Sequence, residues 1–179
     1  ENLEKQGVAT FKIERGGDVT FHGPGQIVLY PILDLKRHKR DVGWYLRTLE
    51  QIVIDTIGYY GIEGYRIEGK TGVWTKPKEM ANNAPLGEKP IPLRKIASMG
   101  VRISRWCTMH GLALNVKDCT SGFSLINPCG FNDIEITSLE QEGVNADVKA
   151  VSEVLLEKFR TAFWPSQQGI TECQRSQPN

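Results

Sequence analysis

The sequence predicts a single α+β domain, a mixed sheet backed by helices. Three observations lead there. Short apolar runs alternating with period two outnumber the helical stretches. Two strongly amphipathic helical stretches fall between and after the strand groups. The chain has 179 residues, enough for one core without disulfide support.

Taken in order, Val8–Ile13 alternates and reads as a short strand. Arg15–Gln26, RGGDVTFHGPGQ, carries four glycines and one proline. It reads as a turn at Gly16–Gly17, a strand over Val19–Phe21, and a second turn at Gly23–Gly25. Gln26–Leu35 is a mostly apolar strand in which Pro31 predicts an edge position or a bulge. The basic run Lys36–Arg40 has two readings, a solvated loop or a docking patch for an acidic protein.

Asp41 predicts the N-cap of a helix reaching about Tyr60, with Val42, Tyr45, Leu46, Leu49, Ile52, Val53 and Ile57 on its buried face. Gly58 and Gly61 help to end it. Ile62–Glu68 and Thr71–Thr75 read as a strand pair around Gly69. Lys76–Arg94, with four prolines, reads as a long surface loop. In the strand Lys95–Ser104, alternation puts Lys95, Ala97, Met99, Val101 and Ile103 on one face unless Gly100 introduces a bulge. His110–Val116 is a further strand, Asp118–Ile126 a short helical or irregular approach, and Thr137–Glu142 a small local element. Asp147–Phe163 is the second helix, with Val148, Val151, Val154, Leu155, Phe159 and Ala162 inward. Gln167–Asn179 is polar.

Composition removes several function classes. A balance of 22 basic against 21 acidic residues gives no whole-protein attraction to nucleic acid. No run approaches the ~18 apolar residues of a membrane span. The four cysteines form no C-x-x-C and no zinc-finger spacing with histidine, so neither a disulfide scaffold nor a metal is expected, and a reducing compartment is. The Arg15–Gln26 stretch matches neither a dinucleotide fingerprint nor a P-loop. The N-terminal residues show neither a signal core nor transit character.

The chemistry-bearing candidate is Cys129, set between Pro128 and Gly130 in a way that presents a thiol at a tight, open turn. Cys107, Cys119 and Cys173 read as small buried hydrophobes. A thiol with an ordinary pKa of about 8.5 needs help to ionise. His22, His110 and Lys95 are the candidate helpers, and a Cys–His pair is the commoner arrangement.

The strings RGGDVTFHGPGQ, KIASMGVRIS, HGLALN, INPCG and TSL, in this order over Arg15 to about Leu139, resemble the lipoyl (octanoyl) transferase family. WYLRTLE, SRW and GLALNV are similar to its plant plastid type. The resemblance implies the fold of biotin and lipoate ligases. It also implies transfer of an octanoyl or lipoyl group from acyl carrier protein to a lysine of lipoyl domains, without cofactor or metal. The acceptors implied are lipoyl domains of 2-oxoacid dehydrogenase complexes and the glycine cleavage carrier protein.

By the same resemblance, Cys129 is the acyl-thioester nucleophile and Lys95 its helper. The acyl group is bound by Arg15, Gly16, Gly17, Asp18, Val19, Thr20, Phe21 and His22, with Ser98, Met99, Gly100, Gly111, Leu112 and Ala113. Met99, Val101 and Leu112 are expected as walls for the chain, and backbone N–H groups near Gly100 and Gly130 as oxyanion donors. The catalytic domain is expected over 1–165 and a polar tail over 166–179. The compartment expected is a plastid or mitochondrial matrix, or a bacterial cytoplasm. The family's H-P-P-x-Y-T-x-G segment does not occur ahead of Arg15. Two other readings stand beside this one: an ATP-dependent lipoate or biotin ligase of the same fold, and an inactive truncated form that only binds carrier proteins.

Overall fold

The computed structural model describes residue 3 and residues 7–76, 93–126 and 134–165. Its centre is a mixed sheet in the order β1-β5-β4-β3-β2, with β6 pairing on β4. The strands are β1 (Gln26–Leu29), β2 (Gly64–Ile67), β3 (Lys70–Thr75), β4 (Leu93–Ser104), β5 (Cys107–Asn115) and β6 (Ile134–Ile136). Every pairing is antiparallel except β4 with β6. The helices are α1 (Val42–Tyr59), a single turn α2 (Thr120–Phe123) and α3 (Val148–Phe163).

Helix α1 starts where Asp41 accepts a hydrogen bond from Trp44 N at 2.9 Å, satisfying one of the free N–H groups of the first turn. It stops at Gly61, whose φ of +79° suits glycine. There Gly61 N donates to Gly58 O at 2.9 Å and Ile62 N to Ile57 O at 3.0 Å, a complete Schellman motif. Tyr45, Leu49, Ile52, Val53 and Ile57 are buried on one stripe, whereas Val42 at its first turn is exposed. Asp147 caps α3 through Lys149 N, and Val151, Leu155 and Phe163 turn inward. Ala162 is exposed, at the edge of that stripe.

The core lies between these two helices and one face of the sheet, joining Leu49, Ile52 and Val151 to Val73, Ala97, Met99, Leu112 and Leu114. Pro31 ends β1, which is an edge strand as its proline requires. Beyond it the chain follows β5 through Thr108, whose hydroxyl donates to Pro31 O and accepts from Leu33 N, both at 2.8 Å. The register of β4 with β5 is unbroken from Ala97↔Leu114 to Ser104↔Cys107. Arg105 and Trp106 at the hairpin tip have φ of 51° and 70°, as a two-residue I′ turn demands even without Asn-Gly.

Two expected strands are absent. Val8–Ile13 and Val19–Phe21 have no ladder. The second sits in a glycine-rich segment that crosses the sheet, where Gly16 N donates to Val101 O at 2.9 Å. Strand β6 was not anticipated. The loop expected over Lys76–Arg94 falls mostly on residues 77–92, outside the described residues, as does the tail from residue 166.

Candidate active site

The face of the sheet away from the helices carries the cleft. Alternation along β4 and β5 sends Ala97, Met99, Leu112 and Leu114 into the core and leaves Ser98 opposite Ala113 and Gly100 opposite Gly111 on the other side. Two successive cross-strand pairs of small residues therefore form a low floor. The cleft above it holds about 210 Å³, below the ~300–1,000 Å³ common for drug-sized ligands, which suits a slender group.

Lys95 reaches this cleft through an irregularity in β4. Val73 pairs with Ala97 but Trp74 pairs with Lys95, so Ile96 is an extra residue, a β-bulge. The expectation that Lys95 shares a face with Ala97 and Met99 is thereby corrected. The bulge lies at Ile96, between Lys95 and Ala97, rather than at Gly100. It turns Lys95 and Trp74 together into the cleft, and both line it.

Lys95 is only 7% exposed. Its Nζ lies 5.1 Å from the Trp74 ring centroid, within cation–π reach. Its stem lies against Gly72, where an added Cβ would sit 2.6 Å from Lys95 Cε. Its carbonyl accepts from Thr137 N at 3.0 Å.

The segment from Arg15 to His22 roofs the other end. Gly100 lies beneath it, for a Cβ there would be 2.7 Å from Gly16 O and 2.9 Å from Arg15 Cδ. Arg15 braces its own loop, donating to Gly16 O at 3.1 Å and Asp18 O at 2.7 Å. Asp18 in turn accepts from Val19 N at 2.7 Å.

Arg15, Gly17, Asp18, Val19, Thr20 and His22 line the cleft with Ser98, Met99 and Gly100 and with Gly111, Leu112 and Ala113. Gly16 and Phe21 do not. Gly16 bonds to β4 instead, and Phe21 packs edge-on against Phe123 at 5.7 Å, beneath the segment it supports. Met99 and Leu112 border the cleft while their side chains join the core, and Val101, expected as a third wall, packs against the core and does not line the cleft.

Of the candidate helpers, His22 lines the cleft and His110 does not. His22 Nε2 is 3.4 Å from Tyr30 OH. Burial holds its pKa below 6.5, a bond with Gln26 partly offsets this, and the charge of Arg15 adds to it. His110 has φ of 60° and packs edge-on against Tyr30 at 5.6 Å. Cys129 lies outside the described residues, as do Gly130 and Cys173. Ile134, which opens β6 after that stretch, lines the cleft and pairs with Leu93.

Cys119 is buried, and burial pushes its thiol up to about 11, with Asp118 adding to the rise. Cys107 is exposed, contrary to the expectation of a buried thiol. In the Lys36–Arg40 run, Lys39 pairs with Asp41 at 3.0 Å, and His38 packs edge-on against Phe163 and Trp164.

Sequence reasoning missed Tyr30, Gly69, Lys70, Thr71, Trp74, Ile134 and Ile136 as lining residues. The β2–β3 hairpin was visible as a strand pair, but nothing local said that its turn would close over the lysine. Among the described residues no group of three or more His, Cys, Asp or Glu could hold a metal, and no helix is long and apolar enough to cross a membrane.

The sheet and its backing helices form a fold shared with lipoate-protein and biotin protein ligases. The architecture is similar to a lipoate-protein ligase A solved bound with ATP, with a TM-score of 0.64 at 14% identity over 90% of this chain and 61% of that one. It is also similar to biotin protein ligase from Aquifex aeolicus, with a TM-score of 0.53 at 16% identity over 78% of this chain and 53% of that one.

Residues 1–160 match the lipoyl protein ligase A/B catalytic domain, and the chain belongs to that family. An octanoyltransferase of Solibacter usitatus is 50% identical over 161 residues, 90% of this chain and 66% of that protein. One of Parabacteroides distasonis is 43% identical, covering 91% and 70%. One of Thermosynechococcus vestitus is 40% identical, covering 88% and 62%. The chain thus spans about two thirds of the length of these curated relatives.

Proposed function

We propose that this chain transfers an octanoyl group from acyl carrier protein to a lysine of lipoyl domains, through a thioester on Cys129. The acceptors are lipoyl domains of 2-oxoacid dehydrogenase complexes and the glycine cleavage carrier protein. The observation that carries the reading is Lys95, a buried amine turned by a bulge into a narrow cleft with a floor of Ser98, Ala113, Gly100 and Gly111. Relatives 40–50% identical that bear the name octanoyltransferase support it.

The ammonium of Lys95 favours ionisation of the Cys129 thiol. The Cys129 sulfur attacks the donor's thioester carbonyl. The C–S bond to the carrier breaks, and the carrier thiolate takes a proton from Lys95. In the second half, neutral Lys95 accepts a proton from the incoming lysine amine as it attacks the acyl-enzyme, and Cys129 leaves as thiolate. A thioester becomes an amide, so neither ATP nor metal is consumed.

The test is intact-mass analysis after incubation with octanoyl-carrier protein, without ATP. An octanoyl adduct mapping to Cys129 and missing in Cys129→Ala is expected. No adduct, together with ATP-dependent acylation that survives Cys129→Ala, would refute the reading in favour of a ligase.

A further inference from the structure

Among the described residues, the core contains a buried carboxylate that the proposed chemistry does not use. Glu50 faces the sheet from α1 with a fully buried side chain, between the apolar Leu49 and Ile52. Its two oxygens have different work. Oε2 takes Arg47 Nη1 at 2.6 Å and Arg66 Nε at 3.1 Å. Oε1 accepts from the backbone N–H of Gly72 at 3.1 Å. Arg66 also donates to Arg47 O at 3.0 Å and Gln51 Oε1 at 2.7 Å, which ties β2 to the same turn of helix.

Gly72 lies where β3 departs from regular pairing on both sides. Toward β2 the register slips between Tyr65↔Trp74 and Ile67↔Lys70. Toward β4 it slips between Val73↔Ala97 and Trp74↔Lys95. The φ of Gly72 is +134°, a conformation L side chains rarely adopt. The residue is therefore held away from a standard ladder, and Glu50 accepts the hydrogen bond of its amide.

The same stretch of β3 locates the lysine. The Lys95 stem occupies the space a Cβ on Gly72 would need, and its Nζ stands over Trp74 two residues on. Removing this carboxylate would leave the Arg47 and Arg66 guanidiniums without the oxygen they share and the Gly72 N–H without its acceptor. What a carboxylate adds here is an acceptor for one specific N–H.

We infer that Glu50 is a positioning residue for Lys95, acting through the Gly72 amide to hold the bulged segment of β3 against which the amine rests. This rests on the reading of Lys95 as the cation that ionises Cys129, and the experiment separates the two.

Cys129 is alkylated with iodoacetamide across pH in wild type, Lys95→Ala, Glu50→Gln and Glu50→Asp, with the label mapped to its peptide and folding followed by circular dichroism. The rate tracks the thiolate fraction, so a one-unit rise in apparent pKa slows it about tenfold on the acid side of the profile. Lys95→Ala is expected to shift the profile up. Glu50→Gln keeps an acceptor for Gly72 and stays within about twofold of wild type. Glu50→Asp withdraws that acceptor by one methylene and moves the profile about tenfold toward that of Lys95→Ala.

A wild-type profile in folded Glu50→Asp, with Lys95→Ala shifted, overturns the role of Glu50 and leaves that of Lys95 standing. An unshifted Lys95→Ala overturns both. If Glu50→Asp does not fold, Arg66→Gln removes one anchor of Oε2 at a partly exposed position. A smaller shift in the same direction is then expected, and none overturns the inference.

Discussion

Substituting alanine for Gly72 places one methyl group against the stem of Lys95. The added Cβ would lie 2.6 Å from Lys95 Cε and 2.8 Å from Ala97 O. The lysine stem can swing aside, but the Ala97 carbonyl belongs to the centre of the sheet and cannot. Holding a non-glycine residue at a φ of +134° costs about 1–3 kcal/mol, and overpacking a close-packed site about as much again. A total near 3 kcal/mol lowers the melting temperature by about 6–12 °C in a domain of this size.

Gly69, in the turn of the same hairpin, is the internal comparison. Its φ is +74° and nothing lies within 4 Å of its would-be Cβ, so Gly69→Ala bears only the left-handed backbone cost, about 1 kcal/mol. Thermal unfolding of both variants gives the stability difference, and the Cys129 alkylation rate reports whether the lysine has moved. Gly72→Ala is expected to melt several degrees below Gly69→Ala and to alkylate more slowly than wild type. Equal melting of the two variants, with wild-type alkylation in Gly72→Ala, would refute the argument that this glycine makes room for the amine.

Two further outcomes follow from the cleft. Ala113→Leu raises the floor opposite Ser98 and removes room for about two methylenes, which at about 0.8 kcal/mol each lowers kcat/KM for an octanoyl donor about 15-fold relative to a hexanoyl donor. Equal losses on both donors would place the acyl chain elsewhere. Burial favours the neutral ring of His22, so its contribution to stability is full above pH 6.5 and is lost as pH falls through the lower folded value. The melting temperature of wild type is therefore expected to drop below pH 6.5 more steeply than that of His22→Gln; parallel profiles would show that the ring carries no such linkage.

The sequence carried α1, its cap and its stop because these are local. Asp41, the apolar stripe and Gly61 act within a few residues of one another, and the β2–β3 pair is equally local. The Arg15–His22 stretch was recognisable as chemistry by its glycines, but Val19–Phe21 within it was misread as a strand: the segment is tied to the sheet through Gly16, whose N–H reaches Val101, a partner 85 positions away in the chain. The face of Lys95 was misassigned for a related reason. A bulge at Ile96 depends on how β3 lies alongside, and no residue at 95–97 announces it. Trp74, Tyr30 and Ile136 reach the cleft from three separate strands or their ends, so only the assembled sheet could reveal them.

The extra residue at Ile96 gives this strand a parity. Straightened into simple alternation with Ile96 kept, the strand would set Lys95 on the same side as Ala97, and the amine would enter the oily layer under the helices. The bulge is thus what lets Lys95 and Ala97, two positions apart, serve opposite sides of one sheet.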